Sequence, residues 1–218
     1  MAATIRPAEP RDAEFLGWAS VAAARSQLER GWFDVVLRRD EAFLLEFAKH
    51  LALATAHSWW HWSVFRVAEV DGVVAAAMCG FGDVSYYQAS GAAIAEASEK
   101  MGIDKIEQKQ LWPRGAFILS ATTGEPGAWT IENVATRSEC RRRGLVQELL
   151  RDELRVARRA GFTRAQISVL IGNVNAERAY EKAGFEIVEE KRAPDFEAAL
   201  GTPGTRRLVR VTDEGPQT

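Results

Sequence analysis

The feature that most constrains this chain is a change of hydrophobic period between residues 128 and 171. "AWTIENVAT" alternates at period two, as a strand does, and "RAQISVLI" is a second apolar strand run. Between them Val146, Leu149, Leu150, Leu154 and Ala157 share one face of a helix expected over Leu145 to Ala160. Strand, helix, strand in that order predicts an α/β fold.

The flanking sequence extends the pattern. "TIRPA" reads as a short strand, and Pro10, Asp12 and Glu14 suit the start of a helix that runs to about Ala24. Asp40 caps a second expected helix with Phe43, Phe47 and Leu51 on one stripe. Asp71-Gly72 tolerates the positive φ angles of a two-residue hairpin between "SVFRVAEV" and "VVAAAMC". Residues 84–128 fit neither period and read as an insertion, helical from Gln88 to Met101, with "TTGEPG" as a loop. Beyond it come a helix from about Asn175 to Ala183 that Gly184 ends, and strands in "FEIVEEK" and "RRLVRV". The expectation is one domain over residues 1–212 and a polar tail over 213–218.

Composition excludes several classes of partner. At 218 residues and a formal net charge of -2 the chain has no general attraction for nucleic acid or anionic membrane, so any basic site is local. Cys79 and Cys140 are far apart, and His50, His57 and His61 join them in no metal-ligand spacing. A reduced, cytoplasmic, metal-free protein is expected. The longest apolar run, around Val73 to Cys79, is too short to cross a bilayer, and "MAATIRPAEPRDAEF" forms no signal, so no targeting or anchoring segment is expected.

The local basic site is "RRRGLV". Arg141, Arg142 and Arg143 precede Gly144 where the chain enters the central helix, whose first N–H groups have no partner within it. Such a helix start binds anions, and glycine lets the backbone approach a phosphate oxygen closely. A solvated arginine cluster has the same sequence. G-x-x-x-x-G-K-[ST] and G-x-G-x-x-G are both absent.

"GNVNAERAYEKAGF", residues 172–185, changes the balance. With "RRRGLV" it resembles the GNAT superfamily of acyl-CoA-dependent N-acyltransferases, and "IRPAEPRDAEFL" and "VAEVDGVVAAA" are similar to that family's first strand and helix and its hairpin. The resemblance covers most of the chain except roughly 84–128. It implies a GNAT-like mixed, twisted central sheet flanked by helices, with acetyl-CoA as co-substrate and a primary amine as acceptor. The family's Q/R-x-x-G-x-G/A turn holds the CoA pyrophosphate, which would place Arg141, Arg142, Arg143, Gly144, Leu145 and Val146 around that group. Val146 departs from the family's glycine or alanine. The pattern N-x-x-A-x-x-x-Y-x-x-x-G-F is met by Asn173, Ala176, Tyr180, Gly184 and Phe185. Its tyrosine implies that Tyr180 lies close to the thioester sulfur. Backbone at Val134, Ala135 and Thr136 is expected to bind the pantetheine amides as an added strand would. Asn173 either fixes the pantetheine arm or caps the helix that carries Tyr180.

Acyl transfer needs a base. A lysine-like amine with a pKa of about 10.4 is neutral about once in 2,500 molecules at pH 7, a handicap of about 4.6 kcal/mol. Alternation in "WTIENV" puts Thr130, Glu132 and Val134 on one face, which makes Glu132 the candidate, against an ordinary ion-paired strand glutamate. His61 ranks below it. A phenol at Tyr180 can donate to the departing thiolate, although complete proton transfer runs uphill by roughly 2 kcal/mol unless its pKa is lowered.

Two further features stay open. Trp59, Trp60, Trp62, Tyr86, Tyr87 and Trp112 form either an acceptor surface or core and dimer contacts, which leaves a homodimer open. Glu96, Glu99, Asp104 and Glu107 alternate with lysines and fit a solvated helix face better than an amine trap. A catalytically silent CoA-binding sensor is the rival reading, separated by its indifference to Tyr180→Phe. A partner-binding scaffold would bind no acyl-CoA at all.

Overall fold

The structure, a computed structural model, describes residues 3–121 and 124–212, so the polar tail expected over 213–218 lies outside the described residues. The first part of the chain forms β1 (Thr4–Pro7), α1 (Ala13–Arg25), α2 (Trp32–Leu37), α3 (Glu41–Ala52), β2 (Phe65–Val70) and β3 (Val73–Phe81). Four short helices follow, α4 (Ser85–Gln88), α5 (Ser90–Lys100), α6 (Lys105–Leu111) and α7 (Ile118–Ala121). The remainder is β4 (Trp129–Thr136), α8 (Leu145–Arg159), β5 (Arg164–Leu170), α9 (Val174–Lys182), β6 (Glu186–Arg192), α10 (Pro194–Leu200) and β7 (Gly204–Val211).

The strands make one seven-stranded sheet in the order β1-β2-β3-β4-β5-β7-β6. It is mixed: β4 and β5 run parallel and every other neighbouring pair is antiparallel. The α8 connection between β4 and β5 is the crossover that a parallel pair requires. Asp71 and Gly72 both adopt positive φ, 53° and 78°, which gives the β2–β3 turn the twist its strands need.

Each face of the sheet is covered. Leu149 and Leu150 of α8 and Tyr180 of α9 pack with Met78, Ile131 and Ile167 on one side. Phe15, Leu16 and Ala19 of α1 pack with Phe65, Val67 and Cys79 on the other. The segment 84–121 is no loose appendage: Ala93, Ala97 and Leu111 are buried against Phe33, Leu44 and Phe47. The helix expected from Gln88 to Met101 is α5, and the short α4 precedes it. The helices α2 and α10 were not expected. Asp34 ties the start of α2 by accepting from the Gly31 amide at 2.8 Å, and α10 carries Pro194 in its first turn and Gly201 at φ 75° just past its end. No helix among the described residues is long and apolar enough to cross a membrane.

One polar residue on the apolar stripe of α8 has a structural cause. Glu153 is 1% exposed and accepts a hydrogen bond from Trp129 Nε1 at 2.9 Å. Gly80 runs alongside, where a Cβ would collide with both partners. Burial pushes the Glu153 carboxyl up to about 7, against the opposing effect of the Trp129 bond. Its folded pKa lies above its unfolded one, so its contribution to stability is complete below about 4.5 and is lost as pH rises through about 7. Glu153→Gln cannot ionise. Thermal unfolding at pH 4 and pH 8 is expected to show the variant gaining on the wild type by on the order of 3 kcal/mol across that interval; a constant difference would refute the burial account.

Candidate active site

The pairing of β4 with β5 stops early. Trp129, Thr130 and Ile131 pair with Ala165, Gln166 and Ile167, and beyond Ile131 the two strands part. On its other side β4 stays paired with β3 as far as Thr136. Residues 132–136 therefore present one open strand edge, with unpaired backbone groups that call for a partner. Val134, Ala135 and Thr136, the expected pantetheine-binding residues, lie on that edge. The Thr136 hydroxyl is buried there with no hydrogen-bond partner among the described residues.

A bulge marks the point of parting. Cys79 pairs with Glu132 and Ala77 with Ala135, so Asn133 and Val134 together oppose the single residue Met78. Asn133 has φ 53°, a conformation that asparagine tolerates better than most residues, and its Nδ2 reaches Cys79 Sγ at 3.5 Å. The extra residue corrects the simple alternation expected for this strand. Val134 leaves Glu132's face and packs against the α8 side, whereas Ala135 joins Glu132 on the α1 side.

Glu132 is partly buried and accepts a hydrogen bond from Tyr87 Oη at 3.2 Å. Burial raises its carboxyl to about 7, with the Tyr87 bond acting in the other direction. A carboxylate poised near neutrality suits a general base. His61, the lower-ranked candidate, is buried and stacked on His57 at 3.9 Å, and burial with the neighbouring imidazole lowers it to about 4. That leaves it neutral but too weakly basic to compete.

Tyr180 lies on α9 in the cluster beneath the opposite face. Its hydroxyl has no hydrogen-bond partner among the described residues. Burial, then the charge of Glu132, pushes its phenol above the ordinary tyrosine range. This disfavours complete proton transfer and leaves a neutral O–H donor. Glu132 and Tyr180 thus flank the parting of β4 and β5 from its two sides. Gln147 in the first turn of α8 donates to the Ala179 carbonyl at 2.6 Å, fixing the start of α8 against the residue before Tyr180. Asn173 uses both ends of its amide structurally: Oδ1 caps α9 at the Ala176 N–H, 3.1 Å, and Nδ2 donates to Ser26 Oγ at 2.6 Å.

The anion turn has the expected form. Gly144 is the N-cap of α8 at φ 82°, and nothing lies within 4 Å of where its Cβ would be. Arg141, Arg142 and Arg143 are exposed, and none is ion-paired among the described residues. Leu145 and Val146 turn their side chains toward the core and present their backbone to the turn, so the bulk of Val146 is absorbed inside. Helix-start amides, three guanidinium groups without an ion-pair partner among the described residues, an open glycine and an open strand edge fit a pyrophosphate with an extended amide-bearing arm.

The sequence model of the acetyltransferase (GNAT) family matches residues 32–185. The chain belongs to this family. No curated protein matches the sequence. Among solved structures, an acetyltransferase is similar at TM-score 0.70 and 16% identity, covering 96% of this chain and 100% of its own. An N-acetyltransferase from Staphylococcus aureus Mu50 is similar at TM-score 0.69 and 16% identity, over 95% and 100% of the two chains. The yncA acetyltransferase of Salmonella typhimurium, solved with its cofactor acetyl-CoA, matches at TM-score 0.53 and 15% identity, over 99% and 96%. At these identities the likeness is one of fold, and the family assignment rests on the sequence match.

Three of the insertion's four acidic residues are tied structurally: Glu96 accepts from the Thr55 and Ala56 amides at 2.7 and 3.0 Å, Asp104 caps α6, and Glu107 pairs with Arg39, while Glu99 is exposed. Of the aromatic set Trp60 is buried, Trp59, Trp62, Tyr86 and Trp112 are partly buried against the core, and Trp112 stacks on Trp32 at 6.5 Å. The residue that sequence reasoning missed is Tyr87; only its place in an aromatic cluster hinted at it. Calorimetric titration of acetyl-CoA into Arg141→Ala and Gly144→Glu variants is expected to show affinity weakened about tenfold or more by each. Unchanged affinity in both would remove the pyrophosphate from this turn.

Proposed function

We propose that residues 1–212 act as one acetyltransferase domain that passes the acetyl group of acetyl-CoA directly to a primary amine, with no acyl-enzyme. The observation that carries this is the placement of Glu132 and Tyr180 on the two sides of an open strand edge next to an arginine-rich helix start. Bound acetyl-CoA supplies a thioester carbonyl open to attack by nitrogen. The amides and arginines of 141–146 would hold its pyrophosphate, and backbone at 134–136 would hold its arm. Glu132 takes the proton from the amine nitrogen, and its carboxyl near pH 7 is matched to that task. Tyr180 keeps its own proton and offers the O–H to sulfur as the carbon–sulfur bond breaks. Asn173 acts by holding α9, and thereby Tyr180, in place.

The formal net charge of -2 and the local character of the basic turn favour a small-molecule pair, acyl-CoA and amine, over nucleic acid. Buried Cys79 and the unpaired Cys140 favour a reducing cytoplasmic setting. The test is a panel of primary amines with acetyl-CoA, following released CoA thiol. For a responding amine, kcat/KM is expected to rise with pH through an apparent pKa near 7. Glu132→Gln should abolish that limb and lower kcat by about 10²–10⁴-fold, and Tyr180→Phe should lower kcat by about 10²-fold. Full activity of Tyr180→Phe would favour the sensor reading instead.

A further inference from the structure

The segment 84–128, which carries none of the motifs of the anion turn or of α9, delivers a side chain to the proposed base. Its first helix, α4, carries Tyr87, whose hydroxyl donates to Glu132 Oε1 at 3.2 Å. That hydroxyl is held from several directions. The Tyr87 ring packs against Trp59 at 5.6 Å and edge-on against Phe81 at 5.0 Å, while the Tyr86 carbonyl accepts from the Trp59 amide at 3.2 Å. Asp83 accepts from the Ser85 amide at 2.8 Å and fixes the entry to α4.

We propose that Tyr87 is a positioning residue for the transfer reaction: it engages Glu132 Oε1 and thereby aims Oε2 at the amine nitrogen. This rests on the reading of Glu132 as the base. The titratable groups that face the Glu132 carboxyl are Tyr87 itself, Cys79 across the β3–β4 ladder and Tyr180 across the strand edge. Cys79 is buried and its thiol is pushed up, first by burial and then by the Glu132 charge, so it stays neutral. Tyr87 is likewise held above the ordinary tyrosine range, by burial first, and remains a donor at every neutral pH. Among the described residues the single hydrogen bond to the carboxylate therefore comes from a group that cannot take the proton itself. No bond forms or breaks at Tyr87; it orients the acceptor oxygen and favours its ionised form.

Two measurements on Tyr87→Phe test this, because phenylalanine keeps the ring contacts with Trp59 and Phe81 and removes only the hydroxyl. In protein with carbon-13 at the glutamate carboxyl, the Glu132 resonance, identified by its loss in Glu132→Gln, is expected to titrate near 7 in the wild type. In Tyr87→Phe it should move toward about 8. With an amine from the panel, the limb of kcat/KM should move by the same amount. At pH 7 kcat should fall about fivefold and recover at higher pH, with the KM for acetyl-CoA unchanged. An unmoved Glu132 titration, or a loss of activity equal at all pH values, would overturn the proposal. The two readings fail separately. A limb that persists in Glu132→Gln removes the base, whereas a limb abolished by Glu132→Gln and unmoved in Tyr87→Phe removes only the positioning role.

Discussion

The site depends on an interruption of hydrogen bonding between β4 and β5. A parallel pair that continued from Ile131 to Thr136 would satisfy the backbone of both strands and leave no edge for an extended ligand. Because the pairing ends at Ile131, five residues of β4 keep donors and acceptors on one side, next to the free amides that begin α8. The bulge at Asn133 falls at that boundary and turns Glu132 and Val134 to opposite faces. Backbone geometry thus places the proposed base, the open edge and the arginine-glycine turn within one strand and the turn that follows it.

Burial then sets the chemistry. Glu132 and Tyr180 are both shifted upward by desolvation, with opposite practical results. A carboxylate raised toward neutrality becomes a better base, whereas a phenol raised further becomes a poorer acid and a more secure hydrogen-bond donor. Glu153 shows the same force without evident catalytic purpose, shifted as far as Glu132 but tied to Trp129 on the α8 side of the sheet. Position relative to the strand edge distinguishes the two glutamates.

The residues around the site divide by how they work. Asn173 and Gln147 contribute by fixing helices: one caps α9 and ties it to Ser26, and the other locks the first turn of α8 to the carbonyl before Tyr180. The segment 84–121 is packed on α3 through buried alanines and a leucine of α5 and α6. The Tyr87 ring is held against Trp59 and Phe81, which brings its hydroxyl to Glu132.

Much was legible in the sequence because it is local. The change of period across 128–171, glycine at the entry to α8, the Asp-Gly hairpin, the asparagine cap and the tyrosine on α9 each follow from the preferences of a few adjacent residues. They are enough to predict the α/β sheet, the turn into α8 and the two side chains proposed to react. Pro194 and Gly201 bracket α10 with equally local signals. Tertiary structure decided what depends on neighbours distant in sequence: where β5 leaves β4, how one extra residue at Asn133 divides Glu132 from Val134, and how much water each carboxyl loses. The hydrogen bond between Tyr87 and Glu132 spans 45 residues. No period or spacing encodes such a contact, because it exists only once the helices between them have packed.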